Sequence, residues 1–251
     1  MFIRHRRAWI IVVLASCFAV LFPARPAMAS SGSAHLAWAQ LLIDNVLPAY
    51  NAYGTQPSYV RWVGEGGATR FENRTECSNL LTHLFRQAYG MTSGDIAQWL
   101  GSGSPRAVTY HDAIEAQDGW FVIPKVHQIQ PGDVLAIAYP EGLSASGHIA
   151  IARLAPVPRV ATAPLVAGTS QYEIAIIDST QNGHGQTDSR GFKESYHAGV
   201  GAGSMRLYTD AHGRIVGHTW SSENASKFYA QEERHAVVGR LNTAGLAPYF
   251  P

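Results

Sequence analysis

Cysteine is scarce in this chain: two in 251 residues, Cys17 and Cys77. Cys17 sits in an N-terminal apolar run, so loss of that run leaves Cys77 as the single thiol. One thiol excludes an intrachain disulfide framework. Charge is sparse as well, at 15% of residues, and no basic block stands out that would suit nucleic acid or anionic lipid. After Phe22 no apolar run is long enough to span a membrane. No internal repeat, linker or low-complexity block divides the chain.

What is present begins with an export pattern. Arg4, Arg6 and Arg7 precede the apolar stretch Ala8 to Phe22, and Ala27-Met28-Ala29 supplies small residues before Ser30. This reads as a secretory signal over residues 1–29, cleaved after Ala29. Leu14-Ala15-Ser16-Cys17 resembles a lipobox, but Phe18 to Phe22 continue the apolar run where a lipoprotein turns polar. The mature chain, residues 30–251, is expected to be one secreted or periplasmic domain with no stable membrane span. Four of the 19 basic side chains lie in residues 1–29, which leaves 15 against 18 acidic ones, net −3. A lone thiol is a liability in an oxidising compartment, which favours a role for Cys77 over simple filling.

Cys77 lies at the start of a predicted helix. Leu80, Leu81, Leu84, Phe85 and Ala88 recur at three- and four-residue steps and form one apolar face. Thr75 is expected to cap the first turn and Gly90 to end the helix in the left-handed conformation. Unpaired N–H groups and the helix dipole at such a start favour an anion, here a thiolate. Upstream, residues 34–50 read as a packing helix, with Leu36, Trp38, Leu41, Leu42, Val46 and Leu47 in its stripe, and residues 57–75 as a turn-rich loop. Short helices are expected over Gly94 to Leu100 and Tyr110 to Ala116.

From Ile129 the pattern changes to strands. Val134 to Tyr139, His148 to Ala152 and Tyr172 to Ile177 are short apolar runs bounded by turn residues. An Ala/Pro-rich excursion covers Ala155 to Ala167, and Gln181 to Gly203 reads as loop. Met205 to Tyr208 pairs with Ile215 to Trp220 around Asp210-Ala211-His212-Gly213, and Ala236 to Leu241 is a last strand. Helices first and an antiparallel meander after predict an α+β fold.

The order of these pieces carries a resemblance. Tyr59 with Trp62 and Gly66-Gly67, then Glu76-Cys77-Ser78 opening a helix, then Gln130-Pro131-Gly132-Asp133 before a strand, then Gly147-His148-Ile149-Ala150-Ile151, resembles the NlpC-type papain-like cysteine peptidases and the related CHAP amidases. The likeness covers about residues 57–180. It implies a papain-like α+β fold, N-terminal helices on an antiparallel meander, with Cys77 as nucleophile, His148 as general base then acid, and Asp178 as the group that orients His148. It also implies that Tyr59 lines the site. The chain departs from the family at Glu76, where Asp is usual, and at Asn79, where Gly is usual. Such a triad needs a base within hydrogen-bond reach of the thiol and a third group to set its tautomer.

The expected activity is hydrolysis of amide bonds, foremost in peptidoglycan peptides, through a thioester. The same thiol chemistry on another acyl substrate, such as a lipid ester, a protein amide or acyl transfer, is the alternative enzyme reading. A catalytically inactive binding domain is the alternative of another class. No cofactor and no metal are expected, since His184, His197, His212 and His218 show no paired spacing on one element and read as solvated loop histidines. His83, six residues after Cys77, is rotated away from the thiol. Trp220, at a strand end, is expected to pack into the core.

Overall fold

The computed structural model describes residues 34–191 and 193–249. The expected signal over residues 1–29, and Cys17 within it, lie outside the described residues. In chain order the elements are α1 (Ala34–Asn45), β1 (Asn51–Tyr53), β2 (Tyr59–Arg61), β3 (Glu72–Thr75), α2 (Cys77–Tyr89), α3 (Ser93–Leu100), α4 (Ala107–Glu115) and β4 (Trp120–Val122). They continue with β5 (Val134–Ala138), β6 (Gly147–Ala152), β7 (Val157–Arg159), β8 (Ser170–Thr180), β9 (Gly199–Thr209), β10 (Ile215–Thr219), β11 (Phe228–Ala230) and β12 (Ala236–Leu241).

The dominant feature is a nine-stranded sheet in the order β11-β10-β9-β8-β6-β5-β12-β4, with β7 also paired to β8. Its strand pairs are all antiparallel. A smaller sheet, β1-β3-β2, abuts β9, where Asn51 Nδ2 donates to the Val200 carbonyl at 2.7 Å. This corrects the expected papain-like α+β arrangement of helices packed on a meander: the fold is β-rich. The physical reasons are specific. β8 and β9 run 11 residues each and pair from Ser170↔Thr209 to Thr180↔Gly199, well beyond the expected six-residue strand. Residues 57–75, read as a loop, supply β2 and β3, whose ladder includes Tyr59↔Arg74 and Arg61↔Glu72. β12 does not follow β11 in the sheet but returns between β4 and β5, so the order is not a simple meander.

Both faces of the large sheet are buried. Val134, Ala136, Ile149, Ile151, Ile177, Val200 and Ala202 face the helices, in one cluster with Leu80, Leu81, Leu84 and Phe85 of α2. Leu135, Ile137, Ala150, Ala152, Ile174, Ile176, Met205 and Leu207 fill a second cluster on the other face. Alternate side chains thus enter different cores, which is why β5 and β6 read as unbroken apolar runs. Phe85 anchors the helical layer, with ring centroids 5.4–6.4 Å from His35, Tyr89, Trp99, Tyr110 and Trp120. That cluster fixes the axis of α2, and with it the position of its first residue. No helix among the described residues is long and apolar enough to cross a membrane.

Candidate active site

Cys77 is the first residue of α2, preceded by Glu76 in extended conformation with no side-chain cap. Thr75 is therefore not the cap: its hydroxyl donates to Asn73 Oδ1 at 2.8 Å, and its carbonyl accepts the Ser179 hydroxyl at 2.7 Å. The latter bond ties β8 to the residue two before the thiol. Gly90 ends the helix as expected, at φ 73°. As a first-turn residue, Cys77 has a backbone N–H that the helix itself does not use.

His148 is the second residue of β6. The ladder to β8 is Ile151↔Ile177 and Ala152↔Ile176. Continued in register, it sets Asp178 opposite Ala150, diagonal to His148 and on the same face. His148 Nε2 donates to Asp178 Oδ2 at 2.7 Å. With Nε2 so engaged, Nδ1 is the ring nitrogen left to exchange a proton with the Cys77 thiol. Burial pulls the His148 imidazole down. The Cys77 charge and the Asp178 hydrogen bond more than reverse that, so it is pushed up to about 9. Gly147 permits the close approach of this strand start: a Cβ there would lie 2.1 Å from the Ile137 carbonyl oxygen.

Asp178 is held by more than His148. Its Oδ2 also accepts from His184 Nε2 at 2.9 Å, and its Oδ1 accepts from Arg190 Nη1 at 2.8 Å. Burial would raise its carboxyl. Arg190, then His184 and the two histidine hydrogen bonds, hold it well below the usual carboxylate range. Arg190 is gripped in turn by Asp188, Nε to Oδ1 and Nη2 to Oδ2, both 2.8 Å, a bidentate pair. Burial disfavours the Arg190 charge, and the two carboxylates restore and strengthen it. Asp178, Asp188, His184 and Arg190 are each at most 5% exposed.

His184 is thus not a solvated loop histidine. Its Nδ1 donates to the Trp220 carbonyl, and its ring stacks on the Trp220 indole at a centroid distance of 4.4 Å. The same indole meets His148 edge-on at 4.6 Å, so half-buried Trp220 walls both histidines instead of packing into the core. His218 is buried too, while His197 and His212 are exposed as expected. His83 lies away from the thiol, with its Nε2 3.2 Å from the Ser58 hydroxyl.

The thiol opens into a cleft of about 320 Å³ lined by Tyr53, Glu76, Ser78, Arg106, Ser146 and Gln181 among others. Tyr59 is not part of that lining. It stands in β2 with the Arg61 guanidinium 5.1 Å from its ring centroid. The tyrosine at the site is Tyr53, brought beside the start of α2 by the parallel pair Tyr53↔Thr75. Burial, then the negative charges of Cys77 and Glu76, push its phenol above the ordinary value. The signal for Tyr53 was absent from the sequence, because a three-residue parallel strand carries no periodicity to read.

His148, Asp178 and His184 place donor atoms within 4.8 Å of one another, a spacing that can suit a metal ion. The Asp178 oxygens are already shared among two imidazoles and a guanidinium, and the fixed charge of Arg190 opposes a cation there. The arrangement suits proton exchange between the Cys77 thiol and His148, with a buried carboxylate behind the imidazole.

No family model matches the chain, and no solved structure matches it. The chain is similar to an uncharacterized protein of Acanthamoeba polyphaga mimivirus, 28% identical over 227 residues, an alignment covering 86% of this chain and 99% of that protein.

Proposed function

We propose that the protein is an exported thiol hydrolase that cleaves amide bonds in peptidoglycan peptides. The observation that carries this reading is the 2.7 Å hydrogen bond from His148 Nε2 to the buried Asp178 Oδ2, with the charge of the helix-start Cys77 acting on the same imidazole. His148 takes the proton of Cys77, and the sulfur attacks the substrate carbonyl carbon. The oxyanion that forms is met by the Cys77 backbone N–H at the helix start. His148 then gives its proton to the leaving amine as the C–N bond breaks, which leaves a thioester on Cys77. Water attacks the thioester, His148 takes one of its protons, and the acid product leaves with the thiol restored. Asp178 stabilises the imidazolium at both stages.

The peptide substrate is supported by the NlpC-like motifs around Cys77 and His148 and by the cleft itself. Glu76 and Arg106 offer one carboxylate and one guanidinium beside the thiol. That pair suits a short peptide carrying both an amine and a carboxylate near the cleaved bond. Export rests on the pattern of residues 1–29, and the mature chain isolated from its host is expected to begin at Ser30.

The test is digestion of purified sacculi with the mature protein, followed by mass spectrometry of the new termini. New amine and carboxylate termini with the wild-type chain, and none with Cys77→Ala, support the reading. No new termini with wild type overturns the wall substrate.

A further inference from the structure

A second cluster of ligand-type side chains lies along the middle and C-terminal end of α4, whose first residue borders the cleft. His111 and Glu115 sit four residues apart on α4, one turn along a single face, and His235 precedes β12. His111 Nε2 is 2.9 Å from His235 Nδ1, and His235 Nδ1 is 3.4 Å from Glu115 Oε1. One ligand atom from each of the three lies within 4.8 Å of the others. We propose that His111 Nε2, His235 Nδ1 and Glu115 bind a divalent transition-metal ion of the zinc class, with water completing a four-coordinate shell.

Several features are those of a built site. His111 has a side chain only 4% exposed, and its Nδ1 donates to Asp112 Oδ1 at 2.9 Å. That bond puts the hydrogen on Nδ1 and leaves the Nε2 lone pair aimed at the cluster, the arrangement by which a carboxylate orients a ligating histidine. The donors of a tetrahedral site with bonds of about 2.0–2.1 Å stand roughly 3.3 Å apart. The observed 2.9 and 3.4 Å bracket that value, so the imidazoles need to part by only a few tenths of an ångström. Binding requires the hydrogen of His235 to sit on its Nε2, a change of tautomer with no net loss of a proton.

Charge favours a cation. Asp112 and Glu115 supply two carboxylates, whereas the neighbouring Arg234 is turned away, its guanidinium 3.9 and 4.2 Å from the ring centroids of Tyr229 and Tyr139. Glu115 and His235 are nearly half exposed, which leaves an entry path. The first residue of α4, Ala107, lines the thiol cleft, about 6 Å of helix before His111 and about 12 Å before Glu115, and neither of these lines it. The ion therefore acts as a clamp between α4 and β12, not as a participant in the thiol chemistry.

The experiment is calorimetric titration of zinc chloride into metal-free full-length mature protein carrying Cys77→Ala, which removes the competing thiol. One ion per chain is expected. Adding His235→Ala or Glu115→Gln removes a direct ligand and should weaken binding by at least the roughly 10- to 100-fold typical of losing an outer-shell partner. Both positions are part-exposed, so neither change opens a core cavity. Zinc should also raise the melting temperature of the Cys77→Ala protein but not that of the His235→Ala double variant. No uptake by the Cys77→Ala chain overturns the proposal. So does uptake unchanged by His235→Ala, which would place the ion elsewhere in the chain.

Discussion

Asp178 on β8 stands opposite Gly201 on β9, and the missing side chain there makes room for Arg190. A Cβ on Gly201 would lie 2.6–2.8 Å from the Cγ, Cδ and Nε of Arg190. Two residues on, a Cβ on Gly203 would lie 2.6 Å from His184 Cβ. Alternate glycines on one face of β9 thus form a floor on which the partners of Asp178 lie. The alternation Gly199, Gly201, Gly203 is visible in the sequence, inside a segment that reads as loop.

Gly201→Ala should therefore disturb the site although it touches no substrate. Overpacking of this kind costs about 1–3 kcal/mol. In a domain of this size that is about 2–4 °C in melting temperature per kcal/mol. Thermal unfolding by circular dichroism checks it, and turnover should fall in parallel as Arg190 shifts. An unchanged melting temperature would mean that Arg190 has room to spare.

Asp178→Asn should lower both turnover and stability. The carboxylate faces His148, His184 and Arg190 in a fully buried setting, and an amide leaves Arg190 without its second carboxylate. Breaking a buried charge pair costs about 3–5 kcal/mol. A loss of turnover with no change in melting temperature would show that the network orients His148 without supporting the fold.

Stability should fall on both sides of neutral pH, and the signs follow from the histidines. His35, held by Tyr89 and the Gly132 carbonyl, is pushed down by burial to about 4. Burial likewise pushes His83 to about 4 and His218 to about 3. Each contributes stability that is present above pH 6.5 and lost as pH falls through these values. His148 is raised to about 9, so its contribution is full below pH 6.5 and lost as pH rises through 9. Melting temperature against pH should peak near pH 6.5. A curve rising steadily from pH 6.5 to 9 would contradict the His148 assignment.

Tyr53→Phe should reduce kcat/KM, whereas Tyr59→Phe should leave it within about two-fold. Tyr53 lines the cleft beside Cys77, and Tyr59 does not. Steady-state kinetics on one peptide substrate separates the two, and the opposite ranking would restore Tyr59 as the site tyrosine.

The strands that carry the candidate site were legible because each has a signal of its own. The runs of β5, β6 and β12, the turn at Gln130 to Asp133 and the apolar stripe of α2 all stand where expected. The hydrogen bond between His148 and Asp178 also followed from two strand ends joined by a hairpin. The remainder depends on long-range pairing. β1, β2 and β3 are three or four residues long, and Asn, Arg and Glu within them carry no strand pattern. His184, Asp188 and Arg190 lie in irregular chain and acquire their meaning only over the glycine face of β9. The β-rich architecture itself was hidden because β8 and β9 extend through polar and glycine residues that end a strand when read locally.

The central claim is that His148 activates Cys77, and the rate of Cys77 alkylation by iodoacetamide at pH 6.5 tests it most directly. His148, raised by the Cys77 charge and by Asp178 to about 9, carries its proton at this pH and favours a negative charge on the neighbouring sulfur. Wild-type protein should react at least about ten-fold faster than His148→Ala, a difference of roughly 1.4 kcal/mol. Equal rates in the two proteins, with both folded, would contradict the assignment of Cys77 and His148 as a working pair.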